Sequence, residues 1–186
     1  MRVIAGTARG AQLKGPPDSE TRPTLDKVRG AIFNVLAPYV EDAQVLDLYA
    51  GTGALGIEAL SRGALHCDFV ERRHALCTII QENLLRAHLL PVGQHFCAPV
   101  HQVLSTLSGP YDLILADPPY GDVEGPVLAS WPSIHRLLAP HAILIVEHSP
   151  RVTVPGDSGP LRFVRTRRYG DSAVSYWQNR EERGET

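Results

Sequence analysis

Asp117-Pro118-Pro119-Tyr120 closes a short apolar run, Tyr111 to Ala116. The run reads as a buried strand. Two successive prolines can neither continue a ladder nor enter a helix interior, so the chain must leave the strand extended. A carboxylate, a proline carbonyl and an aromatic ring are thereby set at the C-terminal end of a strand, where open α/β sheets hold ligands. That combination suits a flat nucleobase whose exocyclic amine faces an electrophile. Two acceptors take the amine hydrogens, and the ring stacks on the base. A surface turn after a core strand uses the same residue types. The rest of the chain has to decide between the two.

The second chemical stretch is Gly51-Thr52-Gly53-Ala54-Leu55-Gly56, between a predicted strand and a predicted helix. This spacing is also a dinucleotide fingerprint, so a nicotinamide-dependent oxidoreductase is a rival reading. Asp47 argues against it, because a carboxylate four residues before Gly51 would repel a pyrophosphate on the following helix N-terminus. S-adenosylmethionine carries an ammonium and a sulfonium and no phosphate, so the same carboxylate favours it. Glu71 closes the next predicted strand and is placed to bind a ribose diol of either cofactor. The expected cofactor set is Asp47, Tyr49, Gly51, Gly53, Glu71, Arg72 and Ala98. Ala98 stands in Phe96-Cys97-Ala98-Pro99, a stretch without an acid that offers a ligand backbone groups. As side chains, Arg72 and Arg73 read as surface charges and not as catalytic groups.

These residues need a sheet to position them. From Gln44 onward strand and helix patterns alternate. Strands are expected at Val45–Ala50, Cys67–Glu71, Gly93–Cys97, the run ending at Asp117, and Ala142–Glu147. Helices are expected at Ala54–Arg62, His74–Leu89, Val100–Leu107 and near Val127–Leu138. Such alternation means βαβ units and a mostly parallel sheet. Leu161–Tyr169 and Ala173–Gln178 predict a terminal hairpin around Gly170-Asp171. At the other end, Arg2–Gly6 and Ala11–Lys14 predict a hairpin. A loop rich in proline and charge leads to Thr24, which can cap a helix through Leu36. No linker separates this region from the rest, so residues 1–24 read as an extension docked on a main domain, 25–186.

Length and composition suit one soluble domain of 186 residues, with no run long enough to span a bilayer. The expectation is a cytoplasmic monomer. Cys67, Cys77 and Cys97 lack CxxC spacing and are expected as reduced thiols, not as a disulfide or zinc site. The eight histidines show no paired spacing, so no metal is expected. The net charge of −2 carries no nucleic-acid signal by itself. Its distribution does, because residues 1–30 hold six basic side chains against three acidic ones. Arg9, Arg22, Lys27 and Arg29 are expected to hold RNA phosphates. A second cluster, Arg162, Arg165, Arg167 and Arg168, carries no acid among residues 158–170.

With these motifs in place, the chain resembles class I S-adenosylmethionine-dependent methyltransferases acting on exocyclic nitrogens. Arg22-Pro23-Thr24, Lys27-Val28-Arg29 with Phe33-Asn34, Asp47 to Gly56, Glu58-Ala-Leu-Ser-Arg-Gly-Ala64, Val70-Glu71, Asp117 to Tyr120 and Tyr169-Gly-Asp171 narrow the likeness. They resemble the bacterial family that methylates guanine N2 at position 966 of 16S ribosomal RNA. The resemblance implies a Rossmann-like, mainly parallel seven-stranded sheet with helices on both faces and an N-terminal β-hairpin extension. It implies catalysis by Asp117, Pro118, Pro119 and Tyr120. Its expected partner is 16S ribosomal RNA or a small-subunit assembly intermediate. The rivals are an adenine-N6 methyltransferase of DNA or RNA, the oxidoreductase, and a non-catalytic RNA-binding assembly protein.

Overall fold

The computed structural model describes residues 1–16, 26–89, 93–119 and 125–180. Seven strands form one sheet in the order β3-β2-β1-β4-β5-β7-β6. The strands are β1 (Gln44–Leu48), β2 (His66–Glu71), β3 (His95–Cys97), β4 (Tyr111–Ala116), β5 (Leu138–His148), β6 (Leu161–Tyr169) and β7 (Ser172–Asn179). β1 to β5 pair in parallel, and β7 and β6 close the sheet as an antiparallel hairpin. The parallel part is buried on both faces, which explains the continuous apolar runs at β4 and β5.

α1 (Asp26–Val40), α2 (Ala54–Ser61) and α3 (His74–Arg86) supply one apolar layer. There Ile32, Phe33, Ile57, Ile80 and Leu84 meet Val45, Leu115, Ile145 and Tyr176. α4 (Val100–Leu104) and α5 (Pro132–His135) cover the other face, where Val103, Leu104 and Ile134 meet Leu46, Ile114, Leu144 and Trp177.

Several expected bounds move for local reasons. α1 runs to Val40, past Leu36, with Pro38 in its last turn. α3 stops at Arg86, because His88 takes a left-handed conformation and Leu89 N–H returns to the Leu84 carbonyl. That is the hydrogen bond of a Schellman stop. The helix expected near Val127–Leu138 is instead a 3₁₀ turn, Gly125–Ser130, followed by α5. Pro132 holds Trp131 extended and breaks the run. The cysteine expectation is also corrected: Cys77 and Cys97 form a disulfide between α3 and β3, and Cys67 alone is a buried thiol. Neighbouring elements bring together residues that sequence spacing keeps 20 apart.

At the N-terminus a short antiparallel bridge joins Arg2 to Gln12. Val3, Ala8 and Leu13 from this hairpin lie in the same core as α1 and α2. The boundary at residue 24, and the Thr24 cap, lie outside the described residues.

Candidate active site

β1 and β4 are neighbours, yet their following helices cover opposite faces of the sheet. The crevice beyond their C-terminal ends is therefore the switch point of this topology. Leu48 pairs with both Val70 and Ala116, which sets the ends of β1, β2 and β4 at one level. Asp117 N–H reaches the Leu48 carbonyl at 3.4 Å, and Ala50 N–H the Val70 carbonyl at 2.9 Å. Side chains alternate along a strand. Asp47 and Glu71 thus share the α2 face with Phe69, and Asp117 follows Leu115 onto it.

Asp47 is 1% exposed. Its Oδ2 accepts the Gly56 N–H at 2.8 Å, which ties β1 to the first turn of α2. Its Oδ1 is buried and accepts no hydrogen bond among the described residues. Burial is the main reason its pKa rises from 3.8 to about 8. The Gly56 bond opposes the rise, and the carboxylates of Asp117 and Glu71 add to it. Asp47 therefore senses two further carboxyl groups around the glycine loop, an arrangement that a cation relieves.

Glu71 steadies that loop from β2. Its Oε2 accepts the Gly51 N–H at 2.9 Å and its Oε1 the Arg73 N–H at 2.8 Å. Gly51 and Gly53 have φ of 57° and 80°, in the left-handed region that favours glycine. A Cβ on Gly51 would make only an ordinary contact, 3.9 Å from the Tyr49 carbonyl oxygen, whereas one on Gly56 would lie 2.3 Å from the Phe69 ring. Gly56 thus serves helix–strand packing, and Gly51 the loop facing the crevice. Tyr49 also has positive φ, 57°, strain that a β1-to-α2 turn of this shape imposes. Arg72 is exposed at the end of β2, and Ala98 is half-buried just past β3.

Asp117 is half-buried, Pro118 buried and Pro119 exposed. A Cβ on Gly125 would lie 2.2 Å from the Pro118 ring, so Gly125 lets the chain pack tightly on this proline. Tyr120 lies outside the described residues, as does Arg22.

The expected phosphate ligands among the described residues differ in exposure. Lys27 is exposed in the first turn of α1. Arg9 is exposed on the hairpin, whose neighbours Thr7 and Ala8 bind the C-terminal end of α2 at Ser61. That end is about 12 Å, the length of α2, from the crevice. Arg29 is corrected: it is fully buried, ion-paired with Glu58 and Asp26, and bound to the Arg2 carbonyl. It holds the fold and cannot reach a phosphate.

Sequence reasoning missed Asn83. It is fully buried on α3, accepts the Lys14 N–H at 2.7 Å, and donates to the carbonyls of Lys14 and Thr52. It joins the N-terminal segment to the glycine loop. The available signal was an amide on the apolar stripe of Leu76, Ile80 and Leu84.

The family described as Conserved hypothetical protein 95 matches residues 1–178. Escherichia coli (strain K12) "Ribosomal RNA small subunit methyltransferase D" is 33% identical over 190 residues, covering 100% of this chain and 93% of its own. Bacillus subtilis (strain 168) "Putative rRNA methyltransferase YlbH" is 34% identical over 183 residues, covering 97% of this chain and all of the relative. The solved structure "Putative methyltransferase yhhF from Escherichia coli" superposes with a TM-score of 0.80 at 32% identity, over 96% of this chain and 97% of that one. With the sheet order of a class I methyltransferase and full-length similarity to these proteins, the chain belongs to the Conserved hypothetical protein 95 family of ribosomal RNA methyltransferases.

Proposed function

We infer that this protein transfers a methyl group from S-adenosylmethionine to the exocyclic N2 of a guanine in 16S ribosomal RNA, of the guanine-966 type. The observation that carries the chemistry is the convergence of Asp47, Glu71 and Asp117 at one sheet edge beside the glycine loop. Three carboxyl groups gathered at one edge suit a cationic cofactor and disfavour a pyrophosphate.

S-adenosylmethionine supplies an electrophilic methyl on a sulfonium. Asp47 and the loop at Gly51 and Gly53 hold its cationic end, and Glu71 accepts its ribose hydroxyls. Arg72 and the backbone at Ala98 border the adenine, with Tyr49 beside the loop. Asp117 accepts one hydrogen of the guanine amine and takes the proton that N2 loses as the N–C bond forms. The Pro118 carbonyl accepts the other hydrogen, Pro119 keeps that carbonyl in place, and Tyr120 stacks on the extruded base. The amine lone pair is conjugated into the ring, so the protein's contribution is orientation and electrostatics. The reading uses no metal. Lys27, Arg22 and Arg9 are assigned to the RNA backbone, Arg9 at a distance from the crevice. A ribosomal substrate implies action in the cytoplasm on free RNA or a partly assembled small subunit.

Methyl transfer measured on 16S RNA, assembled small subunits and DNA tests this reading directly. Guanine-N2 product on ribosomal RNA is the expected outcome, and adenine-N6 product or activity confined to DNA overturns it. Asp117→Ala is expected to slow single-turnover transfer at least ~100-fold, the low end for a positioned acid–base group, with cofactor affinity kept. Asp117→Asn separates orientation from charge, since it keeps one acceptor oxygen. Transfer at the wild-type rate by folded Asp117→Ala removes Asp117 from the mechanism.

A further inference from the structure

We propose that the edge strand β6 is an RNA-backbone docking strip, in which Arg165 and Arg167 hold phosphates flanking the nucleotide presented to Asp117. This rests on the reading of the protein as an RNA methyltransferase.

The register of the sheet places the strip. Ala116 pairs with Val146, Val146 with Ser175, and Ser175 with Thr166. One residue further along, Glu147 pairs with Val174 and Val174 with Arg167. Arg167 is therefore level with Asp117 at the catalytic edge. Three strand spacings separate β4 from β6, about 14 Å. That distance lies within reach of the backbone on either side of an extruded nucleotide.

A β-bulge selects the face. Phe163 pairs with Trp177, and Arg165 with Tyr176, so β6 carries one extra residue there. Phe163 stacks edge-on against Trp177, on the α4–α5 side. Without the bulge, strand alternation would send Arg165 and Arg167 to that side as well. With it, Arg165 lies over the Tyr176 ring at 5.6 Å, on the side of α1 and α2. This is the face that carries Asp47, Glu71 and Asp117. Arg162, Arg165, Arg167 and Arg168 are all exposed, and residues 158–170 contain no acid. A polyanion is the partner that such a strip complements. Guanidinium forks suit phosphate, and an RNA strand crossing the catalytic edge supplies phosphates in series. Arg9 lies about a helix length from this edge, whereas the Arg167 end of β6 reaches it.

Charged edge strands also serve to prevent strand-to-strand aggregation, and the experiment separates the two roles. The full chain carrying Arg165→Gln and Arg167→Gln is titrated with a 16S RNA transcript containing the target guanine, across a salt series. The expected result is binding weakened at least tenfold near physiological salt. The slope of log affinity against log salt should fall by roughly 1.5, since each phosphate contact contributes about 0.7–0.9. S-adenosylmethionine affinity, measured without RNA, should stay at the wild-type value. An unchanged slope and affinity overturn the proposal, as does a variant that only self-associates. In the wild-type protein, RNA should also shield Arg165 and Arg167 from an arginine-modifying reagent read by mass spectrometry, and equal labelling with and without RNA overturns the proposal independently of folding. A wild-type protein that neither binds nor methylates the transcript or assembled small subunits refutes the methyltransferase reading instead, so the two failures are distinct.

Discussion

Asp47 shows how a single residue's environment changes its chemistry. Read from sequence it is a carboxylate awaiting a cation. In the fold it is buried beneath α2 with its pKa raised to about 8, chiefly by desolvation. At pH 7 and without cofactor it holds its proton. A cationic ligand favours the ionised form, so cofactor binding at pH 7 should release about one proton, measurable by calorimetry in buffers of different ionisation enthalpy. Asp47→Asn should abolish the release and weaken binding by about 1–3 kcal/mol. The sign for stability follows from the same shift. Between 3.8 and about 8 the folded Asp47 binds more protons than the unfolded one, so its contribution is full at low pH and is lost as pH rises through about 8. Urea melts of the cofactor-free protein should therefore lose more stability from pH 5 to pH 8 in wild type than in Asp47→Asn. The placing of Asp47 and Glu71 near the ends of β1 and β2 was legible because the strand pattern and the glycine motif both fixed it. Arg29 was not, because a charge density counted along the sequence cannot distinguish a solvated arginine from one buried against Glu58.

At the scale of elements, much of what distinguishes the family motifs turns out to hold the N-terminal hairpin to α2. Glu58, 1% exposed, accepts Ile4 N–H at 2.8 Å, Ala5 N–H at 3.1 Å and Arg62 Nε at 2.7 Å. Ser61 Oγ donates to the Ala5 carbonyl and accepts the Ala8 N–H. Gly6 has no room for a side chain, since a Cβ would lie 1.6 Å from the Ser61 carbonyl oxygen. Gly63, at φ 102°, ends α2, and Ala64 N–H returns to the Ala59 carbonyl. The Ser-Arg-Gly-Ala run is thus a helix stop and a docking site together. Glu58→Ala should cost about 3–5 kcal/mol, because it takes from the buried Arg29 one of its two carboxylate partners, leaving Asp26, and strands two backbone donors. Chemical denaturation checks this, and a loss below 1 kcal/mol would mean that water replaces the carboxylate. Elements were legible where one period ran cleanly, as at β4 and β7. They were misread where tertiary contacts or a single proline decided the bounds, as at α5.

At the scale of the whole molecule, alternation of strand and helix patterns made the parallel sheet and terminal hairpin legible. The β6 bulge was not, because an extra residue in an exposed arginine-rich strand leaves no mark on hydrophobic period. Nor was the degree to which residues 1–16 belong to the main body. An extension of residues 1–24 docked on a domain of 25–186 can be either removable or integral. The packing argues for one cooperative unit. Val3, Ala8 and Leu13 are buried in the core that holds α1 and α2, Glu58 and Ser61 spend their hydrogen bonds on this segment, and Asn83 couples Lys14 to Thr52 in the glycine loop. Deleting residues 1–14 would expose that core and leave Glu58 and Asn83 without these partners. Fully burying side chains such as Val3 and Leu13 is worth about 1.5–3 kcal/mol each. Two such losses, with unpaired buried groups added at about 1–3 kcal/mol each, rival the total stability of an ordinary domain. The truncated protein should therefore fail to give a cooperative thermal transition, or melt far below the full chain, and should lose S-adenosylmethionine binding along with RNA binding. A separable RNA-contacting appendage makes the opposite demand: a truncated protein with a sharp transition and unchanged cofactor affinity, impaired only toward RNA. Calorimetry of the two proteins, each with and without S-adenosylmethionine, decides between them.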